Sequence, residues 1–308
     1  MAQGYFELIG NAYLLLVVIV TVAALSLPQS GKGKAIALVI GLGLVYMPYI
    51  LARQQQAERK KVVAQEKVHV SAAKQRFDEL CKTAGEKIYR TVDDVDSLML
   101  LKVRPKLEFQ DYADPMLPGA AMAGESAGDS YIQTFLGVEL NDHLPGHRGS
   151  IALEENSPLP RYHYVEAVDP TDGKRYRYFA NMKRVEFIDS SNGKPNSSES
   201  MGVDRKLADG APPQYAVDYE DIVNASDRKM WIAGTTIRVM DQKNGEVLGE
   251  YTTYAMDAGM GTTNGTRAPW EYASSHGSMR CPHVKGSTGS HTRYFVDRVL
   301  KPKKGEYK

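Results

Sequence analysis

The sequence predicts an α+β protein: an N-terminal transmembrane helical hairpin, then a mainly antiparallel β domain framed by an N-terminal and a C-terminal helix. Three observations predict it. Two long uncharged apolar runs open the chain, apolar residues spaced by three and four mark a helix at each end of the remainder, and alternating segments joined by Gly-containing turns lie between.

Residues 8–30 carry no charge, and their centre at 13–27 is long and apolar enough for a spanning helix. Pro28 and Gly31 turn the chain, and a second uncharged run follows at 35–52, whose helix would be about 27 Å long. The only charged side chain before the first run is Glu7, so the basic start of a cleavable signal peptide is missing. Residues 1–61 are therefore assigned to two membrane helices with a basic flank, and 62–308 to a single aqueous α+β domain. Two arguments about orientation conflict. Arg53, Arg59, Lys60 and Lys61 after the second helix outnumber Lys32 and Lys34 in the turn, which favours a cytoplasmic domain. A disulfide would favour the periplasm.

That disulfide is suggested by the only two cysteines, Cys81 and Cys281, which are too far apart in sequence for a zinc ribbon or a local redox pair. The alternative is two unrelated buried thiols. The chain has 308 residues with 38 Lys plus Arg against 37 Asp plus Glu, a net charge of +1, so no bulk field draws it onto nucleic acid. Its mean hydropathy of −0.38 is negative despite the apolar start, so the part after residue 61 is distinctly polar.

Within the aqueous part, Val70, Ala73, Phe77, Leu80, Cys81, Ala84 and Ile88 predict one amphipathic helix with Cys81 on its buried face. Short strands are expected at 98–104 and 131–136. Residues 161–168 and 174–179 form a predicted hairpin across the turn 170–173, and 232–240 with 247–256 form a clearer one across Asn244-Gly245. The Ser-, Gly-, Asn- and Pro-rich stretch at about 190–213 predicts a flexible loop. Phe295, Val296, Val299 and Leu300 share one face of a terminal helix that Pro302 stops.

Candidate chemistry is thin. Gly124-Glu-Ser126-Ala-Gly128 matches the G-x-S-x-G nucleophile elbow, but neither a strand leading into Ser126 nor a βαβ succession surrounds it. His276, Cys281, His283 and His291 are zinc-ligand types in a spacing that fits no standard site, and Pro145-Gly146 keeps His143 and His147 off one helix face. Asp93-Asp-Val-Asp96 and Asp218-Tyr-Glu-Asp221 lack the EF-hand spacing and are expected as solvated turns. Ser30-Gly-Lys-Gly-Lys34 is not a P-loop. The expectation is a non-enzymatic chain with no catalytic residue, metal or cofactor. The 18 tyrosines, several interleaved with Arg between Arg161 and Tyr178, together with Trp231 and Trp270, suit a protein-binding surface or half-buried strand positions.

Four stretches carry a resemblance: 81–92 (Cys-Lys-Thr-Ala-Gly-Glu-Lys-Ile-Tyr-Arg-Thr-Val), 114–122 (Asp-Pro-Met-Leu-Pro-Gly-Ala-Ala-Met), 215–222 with Trp231-Ile-Ala-Gly, and Arg280-Cys-Pro with the terminal 295–302. They resemble proteobacterial membrane-anchored proteins associated with type VI secretion lipase effectors, in which an envelope protein acts as immunity factor and blocks a phospholipase toxin. The resemblance implies an inner-membrane protein with a periplasmic binding domain and a lipase effector as partner. It assigns no inhibitory residue. The alternatives are a structural component of a membrane-associated assembly, or a hydrolase using Ser126.

Overall fold

A computed structural model describes residues 31–139, 150–151, 160–283 and 288–304, with isolated helical positions at 18, 19, 22 and 26. The chain divides into two compact units, Met1–His69 and Val70–Lys308. In the first, the expected span at 8–30 lies outside the described residues apart from those four positions. The expected span at 35–52 falls within a helix, α1 (Gly31–Cys81). Among the described residues no helix is long and apolar enough to cross a membrane, so the hairpin rests on the sequence alone.

The second unit is built on a nine-stranded sheet. Its strands are β1 (Gly85–Ile88), β3 (Ser97–Leu100), β6 (Tyr164–Val168), β7 (Arg175–Ile188), β8 (Pro195–Leu207), β9 (Tyr215–Ile222), β10 (Ile232–Asp241), β11 (Glu246–Met256) and β12 (Arg280–Cys281). The order is β1-β11-β10-β9-β3-β6-β7-β8, with β12 added beside β11. Only β3 breaks the antiparallel rule, running parallel to both β6 and β9. Two small ladders complete the strands: β2 (Val92–Val95) with β13 (Leu300–Pro302), and β4 (Val138–Glu139) with β5 (Ser150–Ile151).

Alternation assigns the faces. Ala233, Thr235, Ile237 and Val239 of β10 and Tyr251, Thr253 and Ala255 of β11 are buried on one side. Helices α2 (Asp129–Leu136) and α5 (His291–Val299) lie over that side, closing a core that includes Leu98, Phe135, Val165, Phe295 and Val299. Two further helices, α3 (Ala225–Lys229) and α4 (Pro269–Ser275), flank it. At one end of the opposite side, Ala73 and Phe77 from the last turns of α1 pack with Ile232, Tyr254 and Met256. Elsewhere that side is polar, where Arg238 bridges Glu220 at 2.8 Å and Glu250 at 3.0 Å across three strands.

Both expected hairpins form. Val165↔Tyr178 to Val168↔Arg175 pair in the first, and Ile232↔Met256 to Asp241↔Glu246 in the second, where Gly245 takes a φ of +74° that a Cβ would oppose. The terminal helix forms as well, but Leu300 leaves it to open β13.

Four expectations are corrected. The 131–136 segment is helical, not a strand, because Tyr131, Ile132, Phe135 and Leu136 bury at helical spacing; a short apolar run does not decide between the two periods. The expected loop at 190–213 is largely strand β8, paired with β7 from Tyr176↔Leu207 to Ile188↔Pro195. From Met182 to Ile188 this ribbon is exposed, so no burial imprints an apolar alternation on it, and backbone hydrogen bonds alone do not show in composition. The predicted helix through Ile88 ends at Cys81, since Gly85 at φ +123° turns the chain into β1. The strand at 98–104 stops at Leu100, which frees Lys102 and Arg104 for other contacts.

Candidate functional site

The expected cysteine pair forms a disulfide, Cys81–Cys281, which joins the end of α1 to β12 across 200 residues with a Cα–Cα distance of 5.6 Å. Cys281 is thereby withdrawn from any metal set. The other residues of that candidate set do not converge. The His276 ring stacks on Tyr272 at 3.7 Å, His283 lies against Gly277, and His291 is 3% exposed inside the domain. Among the described residues no three His, Cys, Asp or Glu side chains gather as a metal site. His143 and His147 lie outside the described residues.

Ser126 follows a 3-10 turn at Ala120–Met122 rather than a strand, and its backbone N–H donates to Gly289 O at 3.1 Å. A helix, α2, does leave the motif, which departs from the strand expected there, but no strand enters it. The acidic runs are engaged. Asp93 pairs with Lys301 at 2.8 Å and Asp96 with His163 at 2.7 Å. Asp218, Glu220 and Asp221 lie on β9, not in a turn, and Lys102, Arg238 and Arg104 meet them at 3.2, 2.8 and 3.5 Å. Of the Tyr/Arg segment, Tyr162 and Tyr178 belong to the core, while Tyr164 and Tyr176 lie beneath the guanidiniums of Arg177 and Arg205 at 4.2 and 4.3 Å. Trp231 and Trp270 pack against each other at 4.9 Å, and Trp270 Nε1 donates to Asp114 O.

One cleft on the described surface was not singled out by the sequence. It has a volume of about 360 Å3 and lies beside the end of β3, floored by Arg104, Glu125 and Asp221 and walled by Pro105, Leu107, Tyr112, Pro118 and Met122. Arg104 is 5% exposed. Its Nε–H donates to Glu125 Oε2 at 2.7 Å, its Nη1 reaches Asp221 Oδ1 at only 3.5 Å, and its Nη2 has no protein acceptor among the described residues. The guanidinium lies 3.9 Å over the Tyr219 ring. Burial opposes the Arg104 charge, but Glu125, Tyr131 and Asp221 more than offset it and hold its pKa above the ordinary value.

Glu125 also accepts the Thr292 backbone N–H at 2.7 Å, placing a carboxylate at the N-terminus of α5 where the helix dipole favours it. Behind the cleft, Arg280 donates to His291 Nδ1, so His291 must be the neutral tautomer protonated on Nε2. Burial and the Arg280 charge pull its pKa down to about 3. Arg228, 1% exposed, stacks 5.2 Å from Trp270, and none of its three nitrogens has a protein acceptor among the described residues. Burial lowers its pKa, while Asp221 and Asp114 act to raise it.

No family description, curated protein or solved structure matches this chain. Function therefore has to be argued from residues. The cleft joins apolar walls to the Arg104 guanidinium and the Glu125 and Asp221 carboxylates, a lining suited to holding a ligand. Ser126, by contrast, is engaged among the described residues through its backbone N–H, which donates to Gly289 O.

Proposed function

We propose that the protein is a membrane-tethered, non-enzymatic binding protein of the bacterial inner membrane, whose disulfide-closed domain faces the periplasm and occludes a secreted phospholipase toxin. The Cys81–Cys281 disulfide carries this reading, because such a bond persists in an oxidising compartment and is rare in the cytosol. Two uncharged runs at 8–30 and 35–52 supply a tether, and tethering beside the bilayer raises the binder's local concentration where a phospholipase acts. The resemblance of 81–92, 114–122, 215–222 and 295–302 to lipase-immunity proteins supports the choice of partner. A cleft with apolar walls and a polar floor supports a ligand-holding role.

The test labels intact cells with a membrane-impermeant maleimide before and after reduction, then captures partners of the full-length protein from the periplasm. The expected result is labelling of Cys81 and Cys281 only after reduction, and capture of a protein whose phospholipase activity falls when the chain is added. Labelling only after lysis, without reductant, overturns the periplasmic reading and the immunity function with it. A stable multi-protein complex that forms without any lipase would favour a structural component of a membrane assembly instead.

A further inference from the structure

The ribbon of β7 and β8 leaves one strand edge open. Its backbone phase is fixed at both ends of β7. Lys174 O accepts from Asp169 N–H on the β6 side, whereas Arg175 O accepts from Ala208 N–H and Asp189 N–H donates to Lys194 O on the β8 side. Even-numbered residues of β7 therefore turn their N–H and C=O groups towards β6, and odd-numbered ones towards β8. Pairing with β6 stops at Tyr178, while pairing with β8 runs on to Ile188. From Ala180 to Ile188 the even-numbered backbone groups have no strand beside them among the described residues.

Charge usually protects such an edge, and Lys183, Arg184 and Glu186 lie on it. It also carries Met182, Val185, Phe187 and Ile188, which are 37–64% exposed. The order of its charges decides what it fits. If it meets a second copy of itself antiparallel, outward-facing residues must pair with outward-facing ones, so the register moves in steps of two residues. A register centred on Arg184 sets Arg184 against Arg184, and one centred on Glu186 sets Glu186 against Glu186. Centring on Val185 instead pairs each Arg184 with the other copy's Glu186 and each Met182 with the other copy's Ile188. On the opposite face Val185 then meets Val185, and the Lys183 stem lies along Phe187. Within its own ribbon Arg184 is opposite Glu199 but Glu186 is opposite Ser197, so the second copy supplies the cation that β8 does not place across from Glu186.

We infer that the β7 edges of two copies pair antiparallel about a two-fold axis at Val185, giving a dimer with one continuous sheet. The run Arg184-Val185-Glu186 is its own complement when reversed, which is what selects a second copy as the occupant. The inference is independent of the proposed function.

The test adds one cysteine at a time to the full-length protein in detergent micelles, where Cys81 and Cys281 are bonded to each other and the added thiol is the one that can cross-link. Val185→Cys stands at the axis, in a pair whose Cα atoms approach to about 4.5 Å, and should give a covalent dimer under mild oxidation. Lys183→Cys and Phe187→Cys each lie roughly 14 Å from their own copies, so each alone should cross-link at least about tenfold more slowly, whereas the two mixed should cross-link as fast as Val185→Cys. Charge is tested on the Val185→Cys protein. Adding Glu186→Arg or Arg184→Glu sets like charges opposite at two places and should slow the homodimer about tenfold, while a mixture of those two variants restores both pairs and the original rate. All five altered positions are exposed, so the fold survives each change. No dimer from Val185→Cys, equal rates for the three single cysteines, or homodimers of either charge variant as fast as their mixture would each overturn the inference.

Discussion

Arg104 Nε–H donates to Glu125 Oε2 across 2.7 Å in a pair whose side chains are 5% and 1% exposed, and the second oxygen of the same carboxylate accepts the Thr292 N–H. One carboxylate thus ties the segment after β3 to the start of α5. Removing it leaves a buried guanidinium and a bare helix N-terminus together. Glu125→Ala is expected to cost about 3–5 kcal/mol and Glu125→Gln less, since the amide oxygen still accepts one bond. Urea denaturation checks it, and a loss under 1 kcal/mol for the alanine variant would contradict the pairing.

Stability should fall with acid through His291. Its folded pKa of about 3 lies below the ordinary 6.5, so the unfolded chain binds a proton that the native state refuses. This contribution is whole above pH 6.5 and is lost as the pH falls towards 3, at up to about 1.4 kcal/mol per pH unit. Denaturation midpoints measured across that window for the unaltered protein and His291→Gln should converge as the pH drops. Parallel curves would refute a buried neutral imidazole.

Reducing the Cys81–Cys281 bond frees 200 residues of otherwise closed chain in the unfolded state, a loss of about 2–5 kcal/mol. Cys81→Ser and Cys281→Ser should each match the reduced protein in thermal melting, and the double variant should be no worse than either. Additive losses would mean that the thiols act separately.

Gly261 lies where an added Cβ would come within 1.9 Å of Trp231 Cζ2, at a φ of +79°. Its N–H donates to Asp257 Oδ2 at 2.8 Å, so the backbone cannot easily retreat. Gly261→Ala is therefore expected to destabilise by more than about 2 kcal/mol and to shift the tryptophan fluorescence. An unchanged spectrum and midpoint would show that the Trp231 ring has room to move.

Ser126→Ala should leave both folding and the binding of a partner unaltered, since among the described residues only the Ser126 backbone is engaged, at Gly289 O. Loss of a measured esterase activity in that variant, with the fold retained, would revive the hydrolase alternative.

The sequence by itself determined the elements whose partners are close in the chain. Asn244-Gly245 between two alternating runs specified the β10–β11 hairpin, and the spacing of Phe295, Val296 and Val299 specified α5, because turn geometry and one-sided burial leave their period in the residues. The ribbon of β7 and β8 left no such period, being wet on both sides beyond Met182. The segment 131–136 was assigned wrongly because six residues are too short a run to separate strand from helix, although its buried Tyr131, Ile132, Phe135 and Leu136 keep helical spacing.

The cleft was beyond the reach of sequence altogether. Arg104, Glu125 and Asp221 come from three separate segments, and Asp221 stood in an acidic run that resembled a solvated turn. Cys81 and Cys281 could be proposed as a pair by elimination, but only the packing of α1 beside β12 brought their Cα atoms to 5.6 Å. What the sequence encodes locally is the periodicity of burial and the chemistry of turns. Which charges are buried together, and which of their hydrogen-bonding atoms are left uncommitted, depends on distances between residues far apart in the chain, and these only the tertiary fold sets.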